Sequence, residues 1–158
     1  EINQRTAQPV GFDELLQSAD IVSVHTPLTT QTHNLFDSDA FTHMKKGAIF
    51  VNAARGSIHD EDALADALAS GHLGGAGLDV WDSEPPAKEH RLLHLPNVVA
   101  TPHIAGYTSD SLANMAEYAA TQLLQIFAGE PPPRPVNPEV LPRFQSRFAQ
   151  ILGEPSKT

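Results

Sequence analysis

The chain has 158 residues and a mass of 17.0 kDa, the size of about one domain, and its 10 basic and 19 acidic side chains give a formal net charge of −9. This excess of acid disfavours nucleic acid and anionic membranes as partners, because both carry negative charge. Cysteine is absent, which excludes disulfides and thiolate metal sites, and we expect a cytoplasmic location. No apolar run reaches the length of about 20 residues that a transmembrane helix requires.

The first half of the chain predicts two helices, each followed by a strand. Residues 14–19 have the apolar spacing of a short helix, and the β-branched run 21–25 predicts the first strand. A proline places residues 26–30 in a loop, because proline cannot donate to a strand ladder. Residues 37–44 predict the second helix, and the apolar run 48–52 predicts the second strand.

The second half continues this alternation and then changes composition. Acidic residues open a third helix within residues 60–71, and strands are predicted at 75–80 and 98–101. A long amphipathic helix is predicted over residues 108–128. Prolines dominate afterwards, so we place a domain boundary there and interpret residues 129–158 as an extended connector or tail.

The predicted strands end at a regular interval, near Thr26, Asn52, Asp79 and Pro102. An interval of roughly 25 residues matches one strand with its crossover, which favours parallel strands. Parallel strands bring their carboxyl ends to one edge of the sheet, where α/β proteins bind ligands. The sequence therefore predicts an α/β fold with a parallel sheet, flanking helices and a site at this edge.

Four side chains near the strand ends are candidates for chemistry. The guanidinium of Arg55 can hold a carboxylate or phosphate, although a surface arginine in a salt bridge is the simpler alternative. His103 can exchange a proton near neutral pH, and Glu84 can hydrogen-bond a histidine or serve only as a loop acid. Asp79 can accept hydrogen bonds from a ligand or cap the turn that follows it.

The other seven histidines carry weaker signals. His25 stands at a strand end and stays a minor candidate. His90 and His94 have the spacing of two metal ligands on a helix, but no third ligand is evident, so no metal site is expected. A GxSxG elbow of hydrolases is absent. For six histidines we expect exposure to solvent: His33, His43, His59, His72, His90 and His94.

Several motifs resemble the signatures of the D-isomer-specific 2-hydroxyacid dehydrogenases. They are Val51–Gly56 (VNAARG), Gly77–Pro86 (GLDVWDSEPP) and Thr101–Gly106 (TPHIAG), and His25–Thr29 (HTPLT) resembles the cofactor loop of that family. The resemblance covers about residues 12–128. It implies hydride transfer between NAD(H) and a D-2-hydroxy or 2-oxo acid, by a protein with two Rossmann-like domains.

The resemblance also implies roles for individual residues. Arg55 would hold the substrate carboxylate, His103 would be the acid/base, and Glu84 would be its partner. A homodimer is the implied assembly of the full-length protein. NAD contacts are implied for Thr26, Pro27, Ala53, Ala54, Arg55, Asp79, Ala105 and Gly106.

The chain departs from the family pattern in its phosphate-binding part. It has no GxGxxG turn, and Gly74–Gly77 lies in a strand approach and does not replace that turn. The residue that chooses between NAD and NADP is missing as well, so NADP stays open. We therefore expect residues 1–128 to form a partial Rossmann-like domain that lacks the first βαβ unit. Residues 129–158 would lead back to an absent substrate domain, as in the C-terminal part of a longer enzyme.

Two other functional classes remain open from the sequence. One is an NAD-binding regulator, since some relatives of this family act as transcriptional corepressors. The other is a stand-alone interaction domain, which the missing phosphate loop favours. We expect the isolated chain to be inactive, and the sequence does not name the 2-hydroxy acid.

Overall fold

A computed structural model describes residues 7–152. Among these residues, helices and strands alternate up to the third strand, a fourth strand follows after a 3-10 segment, and two further helices come next. Three short 3-10 segments cover Gly56–Ile58, Arg91–His94 and Pro138–Val140. In chain order the main elements are α1 (Phe12–Ser18), β1 (Ile21–Val24), α2 (Ser38–His43), β2 (Ile49–Asn52), α3 (Glu61–Ala69), β3 (Gly75–Leu78), β4 (Val98–Ala100), α4 (Ser109–Phe127) and α5 (Leu141–Leu152).

The four strands form one parallel sheet in the order β1-β2-β3-β4. Val24 pairs with Asn52, Asn52 with Leu78, and Leu78 with Ala100, so the carboxyl ends of all four strands lie in one row. The predicted α/β fold with a parallel sheet and flanking helices is confirmed.

One face of the sheet carries the core of this region. Val22, Phe50 and Ala76 are neighbours across the strands and are buried against α1, α2 and α3. On the opposite face Ile21 is 61 % exposed and Ile49 is 41 % exposed. Side chains alternate between the two faces of a strand, so burial of one face also fixes which strand-end residues point into the core.

Aspartates begin two of the core helices. Asp37 accepts a hydrogen bond from the amide of Ala40 at 2.9 Å, and Asp60 accepts one from the amide of Ala63 at 2.9 Å. Each carboxylate satisfies an amide that the helix leaves unpaired and also interacts favourably with the helix dipole. These caps fix where α2 and α3 start relative to the strand ends.

The chain forms two compact units, residues 1–105 and residues 106–158. The second unit contains α4, which begins with reciprocal hydrogen bonds between Thr108 and Ser111. It also contains α5, although we expected residues 129–158 to be extended. Pro142 lies in the first turn of α5, where a missing amide costs nothing, and the ten residues after it contain no proline.

Some sequence predictions lie outside the described residues. They concern residues 1–6 of the predicted partial domain and residues 153–158 of the predicted connector. The division of the chain into domains at residue 128 stays a prediction. Within residues 7–152, none of the helices combines the length and the apolar character needed to cross a membrane.

Candidate active site

The loops that leave the four strands at their carboxyl ends carry the predicted site residues. Thr26 and Pro27 follow β1 and are exposed, and residues 53–55 follow β2. Asp79 follows β3 directly, and His103 comes three residues after β4. Because the strand ends lie in one row, these loops share one edge of the sheet.

The side chain of Asn52 shapes the turn that carries Arg55. Asn52 is fully buried; its Oδ1 accepts from the amide of Ala54 at 2.9 Å, and its Nδ2 donates to the Arg55 carbonyl at 2.8 Å. The Arg55 side chain is exposed and donates from Nη1 to the Ala54 carbonyl at 2.6 Å. Within residues 7–152 no carboxylate forms an ion pair with Arg55, so its charge is available to an anionic ligand.

A buried histidine supports Asn52 from the other side. Nδ2 of Asn52 also donates to Nδ1 of His59 at 3.0 Å, and His59 is completely buried. Its Nε2 is buried too and has no hydrogen-bond partner among the described residues. Burial lowers the pKa of His59 to about 4, so the ring is neutral and carries its proton on Nε2.

His103 and Glu84 are in direct contact. Nδ1 of His103 lies 2.8 Å from Oε2 of Glu84, and the other carboxylate oxygen accepts from the amide of Trp81 at 3.1 Å. The hydrogen bond from His103, and then the one from Trp81, hold the pKa of Glu84 below its usual value. An ionised Glu84 therefore orients the imidazole and leaves Nε2 of His103 to face a ligand.

Asp79 holds the turn that carries His103. One of its oxygens accepts from the Thr101 hydroxyl at 2.5 Å and the Ile104 amide at 2.9 Å, and the other accepts from the Ala105 amide at 2.8 Å. Burial alone would raise the pKa of Asp79, but these hydrogen bonds together lower it. They also stabilise His103 at a φ of +56°, a left-handed conformation that costs a non-glycine residue about 1 kcal/mol or more.

Gly56 joins the Arg55 turn to the loop that carries Glu84. A Cβ on Gly56 would lie 2.1 Å from the carbonyl carbon of Trp81 and 2.6 Å from the amide nitrogen of Asp82. Only glycine permits this approach of two backbones. The structure therefore packs the Arg55 turn directly onto the segment that ends in Glu84.

A cavity of about 250 Å³ opens beside the acid/base pair. Its walls are mostly apolar, so a ligand bound there would contact apolar groups beside the imidazole. The residues that line it are Trp81, Glu84, Pro85, Pro86, Pro102 and His103.

Sequence reasoning misplaced some histidines. We expected His59, His72 and His90 to be exposed, but His59 is buried and the other two are partly buried. His72 lies 3.0 Å from the Met44 carbonyl, and His90 lies 2.9 Å from Glu61. The position of His59 directly after the apolar Ile58 was the available signal for its burial.

The remaining candidates have local partners. His25 lies 2.8 Å from the hydroxyl of Ser23, and His94 lies 2.9 Å from the carbonyl of Lys88. His90 and His94 therefore contact different groups, Glu61 and the Lys88 carbonyl. In the described part of the chain, no three histidine or acidic side chains are grouped in a way that could hold a metal ion.

Comparison with known proteins identifies the family. The sequence profile of "D-isomer specific 2-hydroxyacid dehydrogenase, NAD binding domain" matches residues 1–105. The chain belongs to the D-isomer-specific 2-hydroxyacid dehydrogenases. The family interpretation of the VNAARG, GLDVWDSEPP and TPHIAG motifs is therefore confirmed, and NAD is the cofactor of the matched domain.

The curated relatives that this chain matches are longer proteins. The glyoxylate reductase of Thermofilum pendens is 46 % identical over 130 residues, which are 82 % of this chain and 38 % of the relative. The D-3-phosphoglycerate dehydrogenase of Bacillus subtilis is 41 % identical over 151 residues, which are 95 % of this chain and 27 % of the relative. The chain thus spans less than half the length of these relatives.

Solved structures of the family match the fold. The TT0316 protein of Thermus thermophilus superposes with a TM-score of 0.78 and 47 % identity, over 84 % of this chain and 44 % of that one. A D-lactate dehydrogenase with NAD+ from Lactobacillus jensenii gives a TM-score of 0.76 and 37 % identity, over 80 % and 42 % of the two chains.

The loops at this edge of the sheet contain the residues predicted to contact NAD. Ala53 is exposed and Ala54 is half-buried, so the backbone after β2 is accessible to a bound ligand. Arg55 and His103, at the same edge, offer a cation and a proton donor. The Ala105 amide is already bonded to Asp79, and Gly106 is exposed at the start of the second unit. The sequence holds no glycine-rich turn for the pyrophosphate.

Proposed function

We propose that the full-length protein transfers hydride between NAD(H) and a D-2-hydroxy or 2-oxo acid, and that this chain supplies its acid/base pair and its carboxylate-binding arginine. NAD(H) supplies or accepts the hydride when it is bound. The family supports the class of reaction, and the relatives support small hydroxy acids as substrates. Homodimer formation and a cytoplasmic location stay predictions.

One observation carries the proposal: His103 lies 2.8 Å from Glu84 at the sheet edge that also presents Arg55. Reduction of a 2-oxo acid requires a proton for the carbonyl oxygen and an anchor for the carboxylate. Nε2 of His103 delivers the proton, and Glu84 stabilises the imidazolium before transfer. The guanidinium of Arg55 holds the carboxylate through two parallel hydrogen bonds, which fixes the carbonyl in one orientation.

The predicted NAD contacts of Thr26, Pro27, Ala53 and Ala54 belong to the same proposal. Their loops follow β1 and β2 at the edge that carries His103, and β1 and β2 are adjacent strands. Small or exposed residues here allow a planar ring to approach the backbone. Asp79, Ala105 and Gly106 complete the predicted set, with Asp79 also maintaining the turn of His103.

The experiment is a reductase assay on the full-length protein with NADH and a panel of 2-oxo acids that includes glyoxylate, hydroxypyruvate and pyruvate. NADPH replaces NADH in a parallel series, which decides the nucleotide. We expect NADH oxidation that depends on one or more of the acids. Absence of activity with every acid, in a protein that binds NADH, would refute the proposal and favour an NAD-binding regulator.

Arg55→Lys tests the anchor within the same assay. Lysine keeps the charge but cannot form two parallel hydrogen bonds, so we expect kcat/KM to fall at least about 100-fold. Affinity for NADH should change little. Arg134→Lys, a substitution in the second unit, is the matched control. Nearly unchanged kcat/KM in the Arg55→Lys variant would remove Arg55 from the substrate site.

A further inference from the structure

A second carboxylate–histidine pair, Glu61 with His90, contacts the segment Trp81–Asp82 that leads to Glu84. Oε2 of Glu61 is 2.9 Å from Nε2 of His90, and Oε1 accepts from the amide of Asp82 at 2.9 Å. The Glu61 side chain is 14 % exposed and the His90 side chain 22 % exposed. A carboxylate with both oxygens bonded and little access to water is fixed in one position.

His90 is fixed in turn by its other contacts. Its Nδ1 accepts a longer hydrogen bond from the amide of Leu92 at 3.4 Å, so Nε2 carries the proton that is donated to Glu61. Its ring packs edge-on against Trp81, with ring centroids 5.5 Å apart. The Trp81 indole nitrogen donates to the Thr101 carbonyl at 3.2 Å, so this tryptophan is fixed as well.

These contacts continue into the acid/base pair through two consecutive amides. The Asp82 amide points to Glu61, and the Trp81 amide points to Oε1 of Glu84. The remaining oxygen of Glu84 then reaches Nδ1 of His103. The two amides belong to consecutive peptide units, Val80–Trp81 and Trp81–Asp82, which meet at the Cα of Trp81. Glu61 therefore restrains one peptide unit, and the adjoining unit donates to Glu84.

We infer that Glu61 and His90 are positioning residues, which restrain the backbone and the ring of Trp81 so that its amide holds Glu84 and Glu84 selects the tautomer of His103. Their role rests on the proposed function of His103 as acid/base. With Glu84 on Nδ1, neutral His103 keeps its proton there, and Nε2 stays free as the atom that exchanges a proton with substrate. Without this support Glu84 would leave Nδ1, and the ring would populate both tautomers.

Removing the negative charge of Glu61 could change the tautomer of His103 without any change in position, and other acids nearby could act in the same way. Asp60, Asp62 and Asp82 line the same small cavity as Glu61 and His90. Burial, and then the charge of Glu61, raise the pKa of Asp82. Asp62 offers a matched control, since its side chain is 86 % exposed, follows Glu61 directly and has Arg91 as its one ion-pair partner among the described residues.

The test measures the tautomer of His103 by NMR of the full-length protein labelled with [15N]histidine, at a pH where the ring is neutral. Loss of one signal in His103→Asn assigns the resonances. In the wild type and in Asp62→Ala we expect the proton mainly on Nδ1. In Glu61→Ala we expect a mixture of tautomers, as we also expect in Glu84→Gln. His90→Phe keeps a ring beside Trp81 but removes the donor, so it should shift the tautomer in the same direction.

Kinetics give a second measurement. Glu61→Ala should lower kcat about tenfold with KM within about twofold, and should have no further effect in a Glu84→Gln background, as expected for residues that act as a unit. A folded Glu61→Ala protein with the wild-type tautomer would overturn the inference. An equal change of tautomer in Asp62→Ala would overturn the inference too. If Glu61→Ala does not fold, the wild-type tautomer in a folded His90→Phe protein would overturn it.

The tautomer measurement requires neither cofactor nor substrate. It can therefore fail while the reductase assay succeeds, and the assay can fail while the tautomer behaves as expected. The two results together distinguish a wrong positioning role from a wrong reaction.

Discussion

The turn that carries Arg55 and the turn that carries His103 are built in similar ways from different chemistry. Each follows a strand of the parallel sheet and is held by a buried polar side chain. Asn52 ends the strand that leads into the Arg55 turn, whereas Asp79 follows β3, the neighbour of the strand that leads into the His103 turn. Asn52 bonds the backbone of residues 54 and 55, and Asp79 bonds the backbone of residues 104 and 105.

The difference lies in charge. Asn52 is a neutral amide that both donates and accepts, and its second donor is satisfied by neutral His59. Asp79 is an acceptor only, and three donors from the following turn surround it. The comparison indicates that neutral groups hold the turn that carries Arg55, whereas an ionised carboxylate holds the turn that carries His103. The predictions below change the polar and charged groups that support these two turns.

Asn52→Asp should have the largest effect, because it buries a carboxylate where an amide had donated to Arg55 and His59. We expect the free energy of unfolding to fall by at least about 3 kcal/mol at pH 8. The loss should shrink at pH 5, where His59 can gain a proton and pair with the new charge. Urea unfolding at both pH values measures this, with the exposed Asn114→Asp as control; equal losses in the two variants would contradict it.

The pH dependence of stability tests the neutral state of His59. The pKa of His59 is about 4 in the folded protein, against an ordinary value of 6.5. The free energy of unfolding should therefore be independent of this group above pH 6.5 and should decrease as the pH falls towards 4. That shift corresponds to about 3 kcal/mol. In His59→Leu this part of the pH dependence should disappear, and the variant should become the more stable protein near pH 4. Parallel stability curves for the two proteins would contradict the assignment.

Asp79→Asn makes the opposite change, from a carboxylate to an amide, in the support of the turn that carries His103. One amide oxygen still accepts, but the new NH2 group faces a backbone amide, and two donors cannot bond each other. We expect a loss of about 2 kcal/mol in the free energy of unfolding, as for an unsatisfied buried group. The exposed Asp39→Asn should change stability by no more than about 0.5 kcal/mol. Thermal unfolding of both variants measures the difference, and similar values would mean that Asp79 does not hold the turn.

Glu84→Gln should have the smallest effect on stability, because both Glu84 and His103 are well exposed. The variant keeps the size of the side chain but replaces the carboxylate that accepts from Nδ1 of His103 by an amide, which can also donate. The imidazole then loses its fixed orientation, so we expect kcat/KM to fall about tenfold, while the free energy of unfolding changes by no more than about 0.5 kcal/mol. Steady-state kinetics and urea unfolding of the full-length protein measure this. Wild-type kcat/KM would show that Glu84 does not orient His103.

Between residues 12 and 127 the sequence by itself determined the elements and the edge at which the strands end, whereas α5 was not predicted. Alternation of apolar runs and capping residues such as Asp37 and Asp60 is local, so it predicts where helices and strands begin. The regular spacing of strand ends predicts parallel strands, and the motifs that follow them predict the family. Both predictions hold because they depend on short stretches of chain.

Tertiary structure alone decided how the site residues are supported. The contacts of Glu61 with His90 and of Asp79 with Ala105 join residues more than twenty positions apart, and no periodicity records such partners. Burial of His59 depends on how β2 and the following turn pack on the core. Whether a polar residue is solvated or buried with a partner is a property of packing, because burial is favourable only where its hydrogen bonds are replaced.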